Sequence, residues 1–278
     1  MRLYVGRDSK FQIMEFGESL KPEIQTIQFG DQKNWGFISY GNHLYTPQVN
    51  KLACFTRNLI PVPKQDIPIP EGVDLFYRSH QLLIDGDLVY VTNTGKNSVY
   101  IFCLASHRLK EIRSDTTRSW PNCLNKIDGN LWLLYNNCRD KAPSDLVTLN
   151  DIHVLPDVGH MAHNVWKMHG KLWVSDTKHG LLRSIDGSMT VAVGGFLRGL
   201  ALSEKYLFVG VSKNRQPDGE HRVTPEGQAG IAIFDAATLE YKTFWPLEST
   251  NLFDGVFEIR LLGEQDLATS NPPLHLEV

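Results

Sequence analysis

The stretch His80–Arg113, HQLLIDGDLVYVTNTGKNSVYIFCLASHRLKEIR, decides the fold. Three short apolar runs, HQLLID, LVYVT and SVYIFCL, follow one another and are succeeded by the half-polar run HRLKEIR. Val, Ile, Tyr, Phe and Thr dominate the apolar runs, as strands favour. No run keeps a 3.6-residue period, so helices are not indicated. Asp85-Gly86 separates the first two runs, and such pairs supply the positive φ angles that a tight hairpin requires. The segment therefore reads as four consecutive antiparallel strands.

Outward from it, the core triplet Val89-Tyr90-Val91 recurs. Its copies are Leu3-Tyr4-Val5, Leu44-Tyr45-Thr46, Leu131-Trp132-Leu133, Leu172-Trp173-Val174 and Leu207-Phe208-Val209, with a weak seventh at Leu267-Ala268-Thr269. Intervals run from 35 to 45 residues, except for 60 before the weak copy. The turn pairs Asp128-Gly129, His169-Gly170 and Asp186-Gly187 punctuate the copies as Asp85-Gly86 does. Four short strands per unit of this length are the pattern of a β-propeller blade, and neither the WD nor the kelch signature is present.

The reading is an all-β, six-bladed β-propeller spanning residues 1–278 as one domain. Expected blades cover residues 33–68, 77–114, 118–157, 160–195 and 196–248, and a last blade joins 254–270 to 1–30. Mixing both termini in one blade removes the open sheet edges of an unclosed ring. Leu267 and Leu3 compete for the second-strand place in that blade, and the choice stays open.

Composition narrows the partners. Against 28 basic residues stand 31 acidic ones, for a net charge of −3, and 42% of the 278 residues are hydrophobic. This balance argues against nucleic acid and against a membrane surface. No apolar run approaches the roughly 20 residues a membrane span needs. The amino-terminal MRLYVGRDSKFQIMEF alternates and carries charge, so it reads as a strand and not as a signal peptide, and the cytoplasm is the expected compartment. Cys54, Cys103, Cys123 and Cys138 form no CxxC pair and are expected as free thiols. A protein partner stays open.

Counting nine residues back from the aliphatic of each copy gives Trp35, His80, Asn122, His163, Arg198 and Glu258. These positions fall at the starts of the channel-lining strands, on the face where propellers usually bind ligands. The hydrophobic frame repeats, while this one position is large and chemically distinct in nearly every copy. That is what a binding site on a pseudo-symmetric scaffold requires. His80, His163 and Glu258 are the candidate catalytic residues, and Trp35, Asn122 and Arg198 the candidate substrate-binding residues. Two readings of the histidines stay open. Either they act as acid and base, or they ligate a single divalent metal together with Asn122. Arg198 suits a carboxylate or phosphate. The expected function is acid/base or metal-assisted hydrolysis, elimination or isomerisation of a small polar, anionic molecule. The alternative is a non-catalytic ligand- or protein-binding propeller.

Around the ring, Gln48, Asn93, Tyr135, Asp176 and Lys213 close the second strands, where they read either as a supporting layer beside the site or as turn residues, since Asn and Asp favour that place anyway. His43, His169 and His179 read as turn residues, while His160 precedes a channel strand and lies within reach of the mouth. The polar insertion Asn214–Ala229 reads as a lid or a surface loop.

The runs FLRGLALSEKYLFVGVSKNR (Phe196–Arg215) and GIAIFDAATLE (Gly230–Glu240) resemble an uncharacterised family of bacterial propeller proteins. More distantly, the chain is similar to the six-bladed NHL-repeat, gluconolactonase/senescence-marker and strictosidine-synthase-like group. In the gluconolactonase-like proteins Glu, Asn and Asp hold a divalent metal on the axis. The resemblance implies that Glu258 and Asn122 occupy comparable axial places. The Asp has no counterpart, and His80 and His163 stand in the ring instead.

Overall fold

The structure, a computed structural model, describes residues 1–7, 10–28, 36–48, 50–56, 58–71, 73, 79–150, 153–212, 224, 225, 227–248, 255–262 and 266–268. In chain order, β1 (Arg2–Arg7), β2 (Lys10–Phe16) and β3 (Pro22–Gln28) come first. Blade 1 follows with β4 (Ile38–Tyr40), β5 (His43–Gln48), β6 (Lys51–Thr56) and β7 (Ile67–Pro68). Blade 2 holds β8 (Ser79–Asp85), β9 (Leu88–Asn93), β10 (Ser98–Cys103) and β11 (Arg108–Ser114). Blade 3 holds β12 (Pro121–Ile127), β13 (Asn130–Tyr135), β14 (Asp145–Thr148) and β15 (Val154–Leu155). Blade 4 holds β16 (His163–Met168), β17 (Lys171–Asp176), β18 (Leu181–Ser184) and β19 (Thr190–Ala192). Blade 5 holds β20 (Phe196–Leu202), β21 (Tyr206–Ser212), β22 (Gly230–Asp235) and β23 (Tyr241–Pro246), and β24 (Val256–Leu262) is last.

Each blade is a four-stranded antiparallel sheet, and blade 6 has the order β24-β1-β2-β3. This is the six-bladed propeller the repeat predicts, closed by strands from both ends of the described chain. The hairpins follow from their turn residues. Asp128 (φ +50°) with Gly129 (φ +81°), and His169 (φ +51°) with Gly170 (φ +72°), form two-residue loops between paired Ile127 and Asn130 and paired Met168 and Lys171. Positive φ at both central positions matches the right-handed twist of the flanking strands.

All six strong triplets lie in second strands, and their aromatics, Tyr4, Tyr45, Tyr90, Trp132, Trp173 and Phe208, are buried. The side chains of a strand alternate between its two neighbouring blades. Accordingly, the core among the described residues is six clusters, each shared between adjacent blades. Trp166 and Trp173 stack at 6.2 Å between ring centroids, both fully buried. Burying one indole contributes up to about 4–6 kcal/mol on area grounds. The Trp173 Nε1–H is satisfied by the carbonyl oxygen of Met168 at 3.0 Å.

Leu267 and Ala268, the described part of the weak seventh copy, lie in a turn and not in a strand. Leu3, in β1, takes the second-strand place in blade 6, where it pairs with Leu261. Leu267 lies in a turn and is 41% exposed. Its N–H donates to the carbonyl oxygen of Leu202, the last residue of β20 (2.7 Å). Asp266 Oδ1 accepts from Leu202 N (3.0 Å), and the carbonyl oxygen of Ala268 accepts from Asn125 Nδ2 (2.5 Å). Residues 266–268 therefore bridge β20 of blade 5 and β12 of blade 3 on the side away from the starts of the inner strands.

No described helix is long and apolar enough to cross a membrane. Cys54, Cys103, Cys123 and Cys138 are free, with Cys54 and Cys123 buried.

Candidate functional site at the channel mouth

Strand pairing gives an independent register for the ring. The triplet aliphatics Val89, Leu131, Leu172 and Leu207 pair with Ile84, Lys126, Lys167 and Leu202, each four residues beyond the expected ring residue. Leu3 pairs with Leu261, which places Phe257, and not Glu258, at the equivalent point of blade 6. A second relation agrees. Thr94 Oγ1 donates to the Pro121 carbonyl (2.9 Å), Thr177 Oγ1 to Leu197 (2.8 Å) and Ser212 Oγ to Val256 (3.2 Å). Each bond runs from the end of one blade's second strand to the next blade's inner strand. The accepting residue directly precedes Asn122, Arg198 or Phe257. The sixth count came from Leu267, which is not a strand residue, and this shifted it by one.

Every inner strand from β8 through β24 is irregular at this level. Pairing shifts fall between Ser79 and Leu82, Pro121 and Cys123, His163 and Val165, Leu197 and Leu200, and opposite Gly6/Arg7 in β24. Such bulges re-aim side chains and often border active sites. They carry His80, Asn122 and Arg198, and they flank His163.

The ring brings several expected residues together. His80 is half-buried and His163 is 4% exposed, with ring centroids 6.3 Å apart on the strands that flank β12, which carries Asn122. Phe196 links His163 to Arg198: its ring meets the imidazole edge-on at 5.7 Å and lies 4.8 Å from the guanidinium carbon. On another side, Phe257 lies 4.9 Å from the same carbon. Two rings thus hold a cation at the mouth. Asn122 is buried, and its carbonyl oxygen accepts from Thr92 Oγ1 (3.1 Å). Trp35 and Lys213 lie outside the described residues, as does most of the insertion.

His163 is fixed by two contacts to Nδ1, the Met161 carbonyl oxygen at 2.8 Å and Thr177 Oγ1 at 2.9 Å. Met161 and Asn164, on either side of it, both have φ of +51°. Left-handed backbone is uncommon outside glycine, and here it turns the Met161 carbonyl toward the imidazole.

Glu258 sits one residue deeper, 2% exposed, with Arg260 Nε 3.4 Å from its Oε1 and a hydrogen bond from Gln81. Burial pushes its carboxyl up to about 7, against the pull of Arg260. Burial likewise pushes the nearby Asp266 up to about 6. A lactonase-type axial metal on Glu258 and Asn122 does not fit this arrangement. The guanidinium already supplies the cation, and the two residues occupy different levels.

Asp176 at the end of β17 is not only a turn residue. Together with His160 and His179 it forms the one group of three or more His, Cys, Asp or Glu side chains with metal-ligand spacing among the described residues. Its only trace in the sequence is the pair Asp176-x-x-His179.

The architecture is that of a six-bladed β-propeller with chemically mixed side chains at the starts of its inner strands. No family model and no curated protein matches the chain in sequence. A chain of a nidogen/laminin complex superposes with a TM-score of 0.67 at 10% identity, over 93% of this chain and 97% of the other. A protein of unknown function from Bacteroides caccae gives 0.61 at 14% identity, with the same coverage. Streptogramin B lyase gives 0.54 at 12% identity, over 86% and 91%. These likenesses are of fold, and fold does not assign function.

Proposed function

We propose that the channel mouth binds a small polar anion and that the protein is an enzyme acting on it by acid/base chemistry, in a hydrolysis, elimination or isomerisation. The observation that carries this reading is the cluster His80–His163–Phe196–Arg198. It sets two imidazoles 6.3 Å apart beside a guanidinium held between rings. Arg198 orients the anion through its planar fork. His80, the more open imidazole, exchanges the proton with the substrate, and His163 behind it serves as the partner base. Glu258 supports the channel below. A lyase among the proteins of similar fold is compatible with an elimination. The free thiols accord with a reducing compartment such as the cytoplasm.

A second reading, a propeller that binds without catalysis, is favoured by the 4% exposure of His163, which keeps it from direct contact with a large ligand. A bound metal on His80, His163 and Asn122 belongs to this level of proposal as well.

The test is a titration of small carboxylates and phosphate monoesters, followed by NMR for both binding and turnover. For any compound that binds, Arg198→Ala is expected to weaken affinity roughly 10- to 100-fold, the worth of a charge-assisted hydrogen bond. His80→Ala is expected to abolish turnover with little change in affinity. Binding that is indifferent to Arg198→Ala sinks the assignment of the site. Binding without turnover of any bound compound favours the second reading.

A further inference from the structure

A second set of ligating side chains stands on the mouth face, one step outward from His163. His160 lies in the loop before β16, Asp176 closes β17, and His179 occupies the turn that follows, so blade 4 supplies all three. Their donor atoms lie within 4.8 Å of one another. Asp176 is 1% exposed, while both histidines are half-buried and open to solvent. Its Oδ1 accepts from His160 N (3.1 Å) and faces His179 Nδ1 at 2.9 Å. The two imidazoles meet edge to face at 5.1 Å. Arg183 Nη1 approaches the other carboxylate oxygen at 3.6 Å. Gly159, at φ +148°, makes the room, because a Cβ there would lie 3.3 Å from Asp176 Cγ.

We propose that His160, Asp176 and His179 bind one divalent first-row transition cation of zinc's class. Two imidazoles and one carboxylate form the nitrogen-rich donor set such ions prefer, whereas calcium and magnesium need more oxygens. Neighbouring ligands around zinc stand roughly 3.0–3.5 Å apart when each bond is about 2.1 Å. The 2.9 Å between His179 Nδ1 and Asp176 Oδ1 is close to that spacing, and rotation of the half-exposed His160 closes the rest. Three protein ligands leave at least one coordination position open toward the mouth. The site also touches the axial one through the chain itself. Thr177, which contacts His163 Nδ1, directly follows Asp176, so an ion here braces the turn that positions that imidazole. The proposal does not rest on the catalytic reading of the ring.

Zinc chloride alone, titrated calorimetrically into the full chain, tests it. The wild type is expected to bind one ion per chain. His179→Ala and His160→Ala are each expected to weaken binding by a factor on the order of 100, and His163→Ala to leave it nearly unchanged. Both rim substitutions lie at half-exposed loop positions, so circular dichroism can verify that at least one of them folds. Cobalt(II) in place of zinc is expected to give visible absorption in the wild type that His179→Ala abolishes. Absence of stoichiometric zinc binding overturns the proposal. So does wild-type affinity retained in both rim variants, or loss in His163→Ala with retention in His179→Ala, which would move the ion to the axis.

Discussion

His163 Nδ1 lies 2.9 Å from Thr177 Oγ1 and 2.8 Å from the carbonyl oxygen of Met161. The carbonyl can only accept, and the threonine hydroxyl already donates to the Leu197 carbonyl at 2.8 Å. The shared proton therefore belongs to Nδ1, and in the neutral ring Nε2 carries the basic lone pair. Nitrogen-15 spectra of the imidazoles are expected to show His163 as the Nδ1–H tautomer. Thr177→Val is expected to erode that preference and to cost about 1–3 kcal/mol of stability, because it removes partners from buried polar groups on two blades.

Gly36 packs directly beneath the other imidazole's backbone. A methyl added there would lie 2.2 Å from the His80 carbonyl oxygen. Gly36→Ala is expected to displace the start of β8 and to lower stability by about 1–3 kcal/mol, as overpacking does. Denaturant unfolding measures the cost. A crystal structure of the variant with His80 unmoved would contradict the account.

Stability should fall as pH rises through neutrality. The Glu258 carboxyl moves from 4.5 to about 7 on folding, and Asp266 from 3.8 to about 6. Between the unfolded and folded values the native state holds protons that the unfolded chain has released. Their stabilising contribution is thus fully present below the unfolded values and is lost as pH passes the folded ones. Two acids flank one guanidinium, Arg260, so one proton keeps the cluster neutral. Glu258→Gln leaves a balanced Arg260–Asp266 pair. It should flatten the decline in unfolding free energy between pH 5 and pH 8 by an amount on the order of 1–3 kcal/mol. A parallel decline in both proteins would remove Glu258 as the cause.

Phe257 and Glu258 exchange places relative to the count along the chain, and accessibility separates them. Phe257 is half-buried at the mouth, while Glu258 is 2% exposed below it. Phe257→Cys is expected to react with a polar maleimide at least about tenfold faster than Glu258→Cys, read as added mass above the native thiols. Equal rates would return Glu258 to the mouth.

The propeller was legible because each blade repeats an aromatic between aliphatics at a steady interval, and each hairpin carries its own turn residues. Leu267-Ala268-Thr269 misled because three residues of suitable type carry no information about hydrogen bonding. Only the contacts of Leu267 with Leu202 reveal a turn at the channel's end. The ring positions of His80, Asn122, His163 and Arg198 followed from spacing, since inner and second strands are joined by short hairpins of fixed length. In blade 6 those strands come from distant parts of the chain, and a count along the sequence cannot cross that gap. The rim group escaped for another reason. His160 lies on a different strand connection from Asp176 and His179, and nothing in the sequence shows that Asp176 is buried with its carboxylate aimed between them.

The bridge made by residues 266–268 bears on how the ring can open. Asp266 and Leu267 bond to Leu202 in blade 5, and Ala268 accepts from Asn125 in blade 3. The segment after β24 thus ties together two inner strands that are not neighbours in the ring, across the intervening blade 4. Local opening of blade 3 or blade 5 must therefore break bonds to that segment as well as to the neighbouring blades.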